Sequence, residues 1–169
     1  FNYALTTKKR DTGVHFYLDD YQFECFWNRP EVYFELLRGF DCVLTPDFSL
    51  YLDMPMVMKG WNVFRSRLLG QAMQCVGLRV IPTVSWAEPE TFEWCFDGLP
   101  KDSTVSVSTI GVKKNKNAER IWKQGMDAMI DRIHPSCILV YGGKNDYDYG
   151  DTRVVFYENP VTRRMEYGR

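Results

Sequence analysis

The sequence predicts an α/β fold: a single domain whose mostly parallel five- to six-stranded sheet, open or a partial barrel, is joined by crossover helices. Six short runs rich in β-branched and aromatic residues recur along the chain, and most stretches between them have the apolar spacing of a helix. Strands that alternate with helices pair in parallel, because each helix carries the chain back to the start of the next strand. With 169 residues and 45% hydrophobic content, the chain can bury one substantial core.

The predicted strands define the limits of this domain. We predict that it extends from 14 to 158, after an N-terminal extension over 1–13 and before a C-terminal tail over 159–169. The strands are VHFYLD (14–19), DCVLTP (41–46), LRVIPTVS (78–85), TVSVST (104–109), CILVYG (137–142) and RVVFYE (153–158).

Three stretches between the strands predict helices. The first, 21–37, is interrupted at Pro30, so it predicts two short helices. The second, 54–76, is followed by Gly77 as its C-terminal cap, and the third, 117–133, is stopped by His134 and Pro135. The 11-residue stretch after the fifth strand predicts a polar hairpin or loop. The residues predicted to face inward from the second helix are Val57, Met58, Trp61, Leu68, Leu69, Ala72, Met73 and Val76.

Composition excludes several classes of function. A formal net charge of −1 and the absence of a helix-turn-helix pattern disfavour sequence-specific DNA binding. No apolar run reaches the roughly 18 residues that a membrane span requires, so we expect no membrane partner. The five cysteines form no CxxC pair and lie mostly in apolar runs, which predicts reduced, buried thiols and a cytoplasmic protein.

Polar residues mark the carboxyl ends of five consecutive predicted strands. Ligands of open α/β sheets bind outside these ends, because loops and helix N-termini converge there. If the strands are adjacent and parallel, their polar ends line one shared cleft. The candidate site residues are Asp19, Asp20, Asp47, Ser85, Trp86, Ser106, Ser108, Lys113, Lys114 and Tyr141.

One function compatible with this cleft is an enzyme that acts on a phosphorylated or nucleotide-like substrate. Asp19, Asp20 and Asp47 are then the catalytic acid/base groups, and Asp19 with Asp47 suits Mg²⁺, which prefers oxygen ligands. Lys113 and Lys114 would hold the phosphate near the start of the following helix. The other substrate-binding candidates are Ser85, Trp86, Ser106, Ser108 and Tyr141. The alternative is a non-catalytic binder of a small anionic ligand or a host protein.

Each candidate also has a purely structural interpretation. Asp19 and Asp20 could cap the next helix, and Trp86 could be an ordinary core residue rather than a stacking platform. The lysines after the fourth strand could simply be solvated. Arg65, which lies among apolar residues, is most simply interpreted as the partner of Asp47 or Asp53.

Two sequence blocks are similar to a known family. LTPDFSLYLDMP (44–55) and IPTVSW (81–86), followed by FDG (96–98), resemble the bacterial and phage family called domain of unknown function 4417, over roughly residues 14 to 145. The resemblance implies a small intracellular protein of the kind carried by phages and mobile elements. It implies no particular reaction or ligand, so every candidate residue depends on its position at a strand end.

Overall fold

The computed structural model describes residues 1–112 and 115–159. The chain divides into two compact units, Phe1–Thr83 and Val84–Arg169. Within the described residues each unit contains one three-stranded sheet, and in each sheet the strands lie side by side in the order in which they occur along the chain. Both units are mixtures of helix and strand, so the α/β class is confirmed.

All four strand pairings in the described residues are parallel, as the sequence predicted. The prediction of one five- to six-stranded sheet is wrong. The stretch between the third and fourth strands contains only a short 3₁₀ helix, Pro89–Glu93, and turns, and no pairing in the described residues joins these two strands. The fourth strand therefore starts a second sheet instead of extending the first.

The first unit builds its sheet from very short strands: β1 (Gly13–Val14), β2 (Cys42–Leu44) and β3 (Val80–Ile81). Its helices are α1 (Glu24–Asn28), α2 (Glu31–Leu37) and α3 (Met56–Cys75). Pro30 separates α1 from α2, which confirms the predicted interruption. The core is rich in phenylalanine and includes Phe16, Phe23, Phe26 and Phe48, each at most 2% exposed.

Helix α3 does not bury the face that its apolar spacing predicted. Leu69 and Met73 are buried, as predicted. The prediction that Val57, Met58, Trp61 and Leu68 face inward is wrong, because all four are exposed. The N-terminal half of the helix instead buries polar residues that bond to the neighbouring loops. The buried residues of α3 are Lys59, Asn62, Arg65, Ser66, Leu69, Gly70 and Met73.

Gly77 ends α3 as predicted. Its backbone has a φ of +83°, which is the left-handed region that glycine adopts most easily. Its N–H donates to the carbonyl of Gln74, and the N–H of Leu78 donates to the carbonyl of Met73. These bonds satisfy carbonyl groups that the end of a helix would otherwise leave unpaired.

The second unit has longer strands: β4 (Thr104–Ser108), β5 (Cys137–Tyr141) and β6 (Arg153–Tyr157). Helix α4 (Lys116–Ile133) connects β4 to β5, and its ends lie within one residue of the predicted range 117–133. Asn115 caps it by accepting bonds from the N–H groups of Asn117 and Ala118. The helix buries one apolar stripe, which consists of Ile121, Trp122, Gly125, Met126, Met129 and Ile133.

The connection from β5 to β6 is a loop, not a hairpin. Since β5 and β6 are parallel, residues 142–152 must return along the length of the strand before β6 begins. Tyr147 in this loop donates a 2.6 Å hydrogen bond to Asp127 of α4 and packs edge-on against Trp122. Burial, followed by the hydrogen bond to Asp127, raises the pKa of Tyr147 above its ordinary value. The loop is therefore anchored to α4 by a neutral phenol.

The end of α4 gives a test of backbone strain. His134 follows the helix at a φ of 45°, a left-handed conformation that costs a non-glycine residue about 1 kcal/mol. We expect His134→Gly to raise the free energy of unfolding by about 0.5 to 1 kcal/mol in urea titrations. His134→Ala keeps the strain and is the control. An equal gain in both variants would contradict the strain argument, because His134 is exposed.

The cysteines are less buried than their apolar surroundings predicted. All five lie in described residues and are free thiols. Cys95 is buried, but Cys25 and Cys75 are exposed, and Cys42 and Cys137 are half-buried.

None of the helices in the described part of the chain is both long and apolar enough to cross a membrane.

Candidate functional site

In the first unit, Asp20 connects the segments that follow β1 and β2. Its carboxylate accepts hydrogen bonds from the backbone N–H and the hydroxyl of Ser49, the latter at 2.8 Å. Asp19 is exposed and accepts a bond from the side chain of Gln22. Neither aspartate caps the 3₁₀ helix that follows β1 through its side chain. Asp47 is half-buried in the same loop as Ser49.

A polar network continues from Ser49 into α3. The side chain of Asn62 donates to the carbonyl of Ser49 at 2.7 Å, and Arg65 donates to the side-chain oxygen of Asn62 at 2.7 Å. Arg65 also donates to both carboxylate oxygens of Glu24 on α1, at 3.0 and 3.1 Å. The sequence had suggested Asp47 or Asp53 as the partner of Arg65, and the structure gives Glu24. Two helices and one loop are thereby connected.

Buried hydroxyl groups join the ends of β2 and β3. The hydroxyl of Thr45 accepts a bond from the N–H of Thr83, and the hydroxyl of Thr83 donates to the carbonyl of Thr45 at 2.7 Å. Ser66 of α3 donates to the hydroxyl of Thr45 at 3.2 Å. The polar residues at these two strand ends thus complete the backbone pairing of a very short sheet.

In the second unit, the serines of β4 also have structural partners. Ser106 is 1% exposed, and its hydroxyl donates to the carbonyl of Leu139 on β5. Ser108 is half-buried, and its hydroxyl accepts a bond from the N–H of Ile110. Burial raises the pKa of Tyr141, which pairs with Ser108 at the end of β5. These groups hold the strand ends in position.

Trp86 packs within the second unit. Its ring lies 5.9 Å from that of Phe96 and 6.2 Å from that of Trp122, measured between centroids. It also covers Gly125 of α4 so closely that a Cβ atom there would overlap the indole. This packing favours the core interpretation of Trp86 over the stacking platform. Ser85, the preceding residue, is half-buried.

An open pocket lies at the carboxyl ends of β4 and β5, beside the first turns of α4. Its volume is about 340 Å³, which is in the range of small-ligand sites. Lys123 bonds to Glu119 at 2.9 Å and to Asp146 at 3.3 Å, and the bond to Glu119 is the main cause that raises the pKa of Lys123. We call this the strand-end pocket, lined by Thr109, Val112, Glu119, Trp122, Lys123, Asn145 and Asp146.

The strand-end pocket contains residues that the sequence did not single out. Glu119 and Lys123 have the i, i+4 spacing of an ion pair on a helix, with the acid towards the N-terminus, and this signal could have identified them. Asp146 has no comparable signal, since its position depends on the loop after β5. Lys113 and Lys114, predicted to hold phosphate, lie outside the described residues and follow Val112 directly in the sequence.

The predicted residues fall into two sets. Asp19, Asp20 and Asp47 belong to the first unit. Ser85, Trp86, Ser106, Ser108 and Tyr141 belong to the second. Since the single sheet that motivated one shared cleft is not formed, the strand order no longer argues for that cleft. No group of three or more His, Cys, Asp or Glu side chains suited to a metal ion occurs within residues 1–112 and 115–159.

Comparison with known proteins identifies phage relatives. The chain is 43% identical over 134 residues to the Gene 1 protein of Mycobacterium phage L5, covering 79% of this chain and 58% of the relative. It is 43% identical over 130 residues to the Gene 1 protein of Mycobacterium phage D29, covering 77% of this chain and 48% of the relative. The matches thus span about half the length of these relatives. No solved structure matches the chain.

The family model for the domain of unknown function (DUF4417) matches residues 1–158. This range includes both units up to the end of β6. It also includes the two blocks, 44–55 and 81–86, that carried the resemblance in the sequence. The chain belongs to the DUF4417 family and is similar to the Gene 1 proteins of two Mycobacterium phages.

Proposed function

We propose that the protein is a phage-type binding protein that holds a small nucleotide-like ligand in the strand-end pocket. The observation that carries the proposal is the position of this pocket. It lies where the ends of two parallel strands and the first turns of an 18-residue helix come together, and parallel α/β sheets hold their ligands at such ends. Its volume of about 340 Å³ suits a nucleoside or a nucleotide.

The lining of the pocket fits a ligand with both hydrogen-bond donors and an anionic group. Glu119 and Asp146 offer carboxylate oxygens to the amino and hydroxyl groups of a nucleoside, and the side-chain amide of Asn145 can donate or accept. Lys123 offers an ammonium group to a phosphate. A bare anion fits less well, because the described lining contains two carboxylates and one ammonium group.

Binding is better supported than catalysis for the described residues. An enzyme needs a nucleophile or acid/base group that is free to meet its substrate. The hydroxyl of Ser106 is buried against a backbone carbonyl, and the carboxylate of Asp20 bonds to Ser49. The enzyme hypothesis, with Mg²⁺ at Asp19 and Asp47, remains the second candidate.

A thermal-shift experiment tests the proposal. We expect nucleosides or nucleoside monophosphates to raise the melting temperature, because a ligand at 100 times its Kd stabilises the folded state by about 2.7 kcal/mol. Inorganic phosphate should have a smaller effect. Lys123→Met should weaken nucleotide binding about tenfold or more in calorimetric titrations, because it removes the ammonium group from the pocket.

The control is Lys101→Met, which removes an exposed lysine of the same unit. Two results would contradict binding in this pocket. One is a rise in melting temperature with nucleotide that Lys123→Met leaves unchanged, and the other is that none of the nucleosides or nucleotides raises the melting temperature. Product formation from a phosphorylated ligand, together with a requirement for Mg²⁺ that Asp47→Ala abolishes, would favour the enzyme instead.

A further inference from the structure

Helix α3 carries a row of exposed apolar side chains on the side opposite its buried polar face. Val57, Trp61, Phe64 and Leu68 are 79%, 49%, 50% and 45% exposed. We call these four residues the α3 stripe. Their successive spacings of four, three and four residues are those of a coiled-coil seam, in which the side chains of one helix pack between those of another. Globular helices ordinarily bury this face.

The charge pattern of α3 indicates what kind of surface could cover the stripe. Its 20 residues contain no aspartate or glutamate. Lys59 and Arg65 are at most 8% exposed, and Arg67, which is half-buried, donates to the carbonyl of Thr83. A neutral apolar surface of this kind is not matched to a strongly charged partner. It is compatible with a copy of itself, because a twofold axis would bring no like charges of the stripe together.

The rings of the α3 stripe are held in place before any partner arrives. Trp61 packs edge-on against Trp27 and stacks on Phe64, each with 5.5 Å between centroids. Trp27 is in turn covered by the guanidinium group of Arg65 at 5.6 Å. Ordering these side chains therefore adds little to the entropic cost of association. Fixed, central aromatic residues are the kind that carry most of the binding energy of an interface.

The exposed area meets the minimum for a weak dimer. Together with Met58, which flanks the stripe and is 50% exposed, the four residues present roughly 500 to 550 Å² of apolar surface. Two copies would bury roughly 1,000 to 1,100 Å² in total, which is near the smallest area expected of a biological interface. We propose that the α3 stripe is a homodimer interface, in which α3 of one copy packs against α3 of a second copy of this chain. The proposal does not depend on the strand-end pocket.

Sedimentation or light scattering tests this interface. We expect the full chain of 19.9 kDa to approach twice that mass at about 100 μM and to dissociate on dilution to low micromolar concentrations. Trp61→Glu with Phe64→Glu should leave a monomer at 100 μM, because the dimer would then bury carboxylates at its centre. Val57→Glu, at the most exposed position of the stripe, should weaken the dimer at least tenfold with less risk to folding.

The matched control is Tyr21→Glu, which adds the same charge at a 79% exposed aromatic residue outside α3. It should dimerise as the unmodified chain does, with an unchanged circular dichroism spectrum. A chain that remains monomeric at 100 μM would overturn the proposal. So would a dimer that both Val57→Glu and the double variant leave intact.

Discussion

Replacing Gly125 with alanine is expected to lower the free energy of unfolding of the second unit by about 2 kcal/mol. Gly125 is buried on α4, and a Cβ atom there would overlap the indole of Trp86. Overpacking of this kind costs about 1 to 3 kcal/mol, and the better helix propensity of alanine offsets up to about 1 kcal/mol. Urea unfolding followed by circular dichroism measures the difference.

Two further variants isolate the cause of that loss. Gly60→Ala makes the same change inside α3, where nothing lies within 4 Å of the added carbon, and should stabilise the protein by about 0.5 to 1 kcal/mol. Trp86→Leu removes the indole that the new methyl group would meet. Adding Gly125→Ala to Trp86→Leu should cost at least 1 kcal/mol less than adding it to the unmodified chain. If the loss of stability in the double variant equals the sum of the losses in the two single variants, then Trp86 is not the residue that the added methyl group meets.

The second unit follows its sequence pattern closely because local and global preferences agree there. Helix α4 has its Asn115 cap, its apolar stripe and its Pro135 stop within one continuous segment. Its neighbours β4 and β5 have the five-residue length at which a buried, β-branched strand is easily recognised. Each of these signals depends on residues close together in the chain.

The first unit departs from its pattern because contacts distant in sequence outweigh the local spacing. Apolar periodicity predicted that Val57 and Trp61 face inward, but Asn62 and Arg65 bond to a loop and to helix α1, each more than ten residues away in sequence. Single-sequence spacing contains no information about those partners. A carbonyl such as that of Ser49 needs a donor once it is buried, and this need turns the polar face of α3 inward.

The strand-end pocket lies at the carboxyl ends of β4 and β5, where the polar strand ends predicted a site. The hydroxyl groups that suggested it, on Ser106 and Ser108, bond to the backbone instead. Serine and threonine at a strand end satisfy nearby backbone groups as readily as they bind a ligand, and composition does not distinguish the two uses.

The ion pair between Arg65 and Glu24 gives the second large expected effect. The side chain of Arg65 is 10% exposed, and that of Glu24 is 41% exposed. Glu24→Gln removes the charge that balances a largely buried guanidinium group, whose Nε atom has no hydrogen-bond partner. Breaking a fully buried pair costs about 3 to 5 kcal/mol, and the partial exposure of Glu24 reduces this to about 2 kcal/mol.

Urea unfolding of matched variants tests that value. The control is Glu35→Gln, which breaks the exposed pair with Arg38 in the same unit and should change stability by at most about 0.5 kcal/mol. Adding Arg65→Met to Glu24→Gln should recover at least half of the loss, because the unpaired charge is removed while an apolar side chain still covers Phe48, over which Arg65 lies at 3.7 Å. If Glu24→Gln lowers the free energy of unfolding no more than Glu35→Gln does, then the contacts of Arg65 with Asn62 and with the Phe48 ring are enough to stabilise its buried position. The polar face of α3 would then be stabilised by hydrogen bonds without help from the charge on α1.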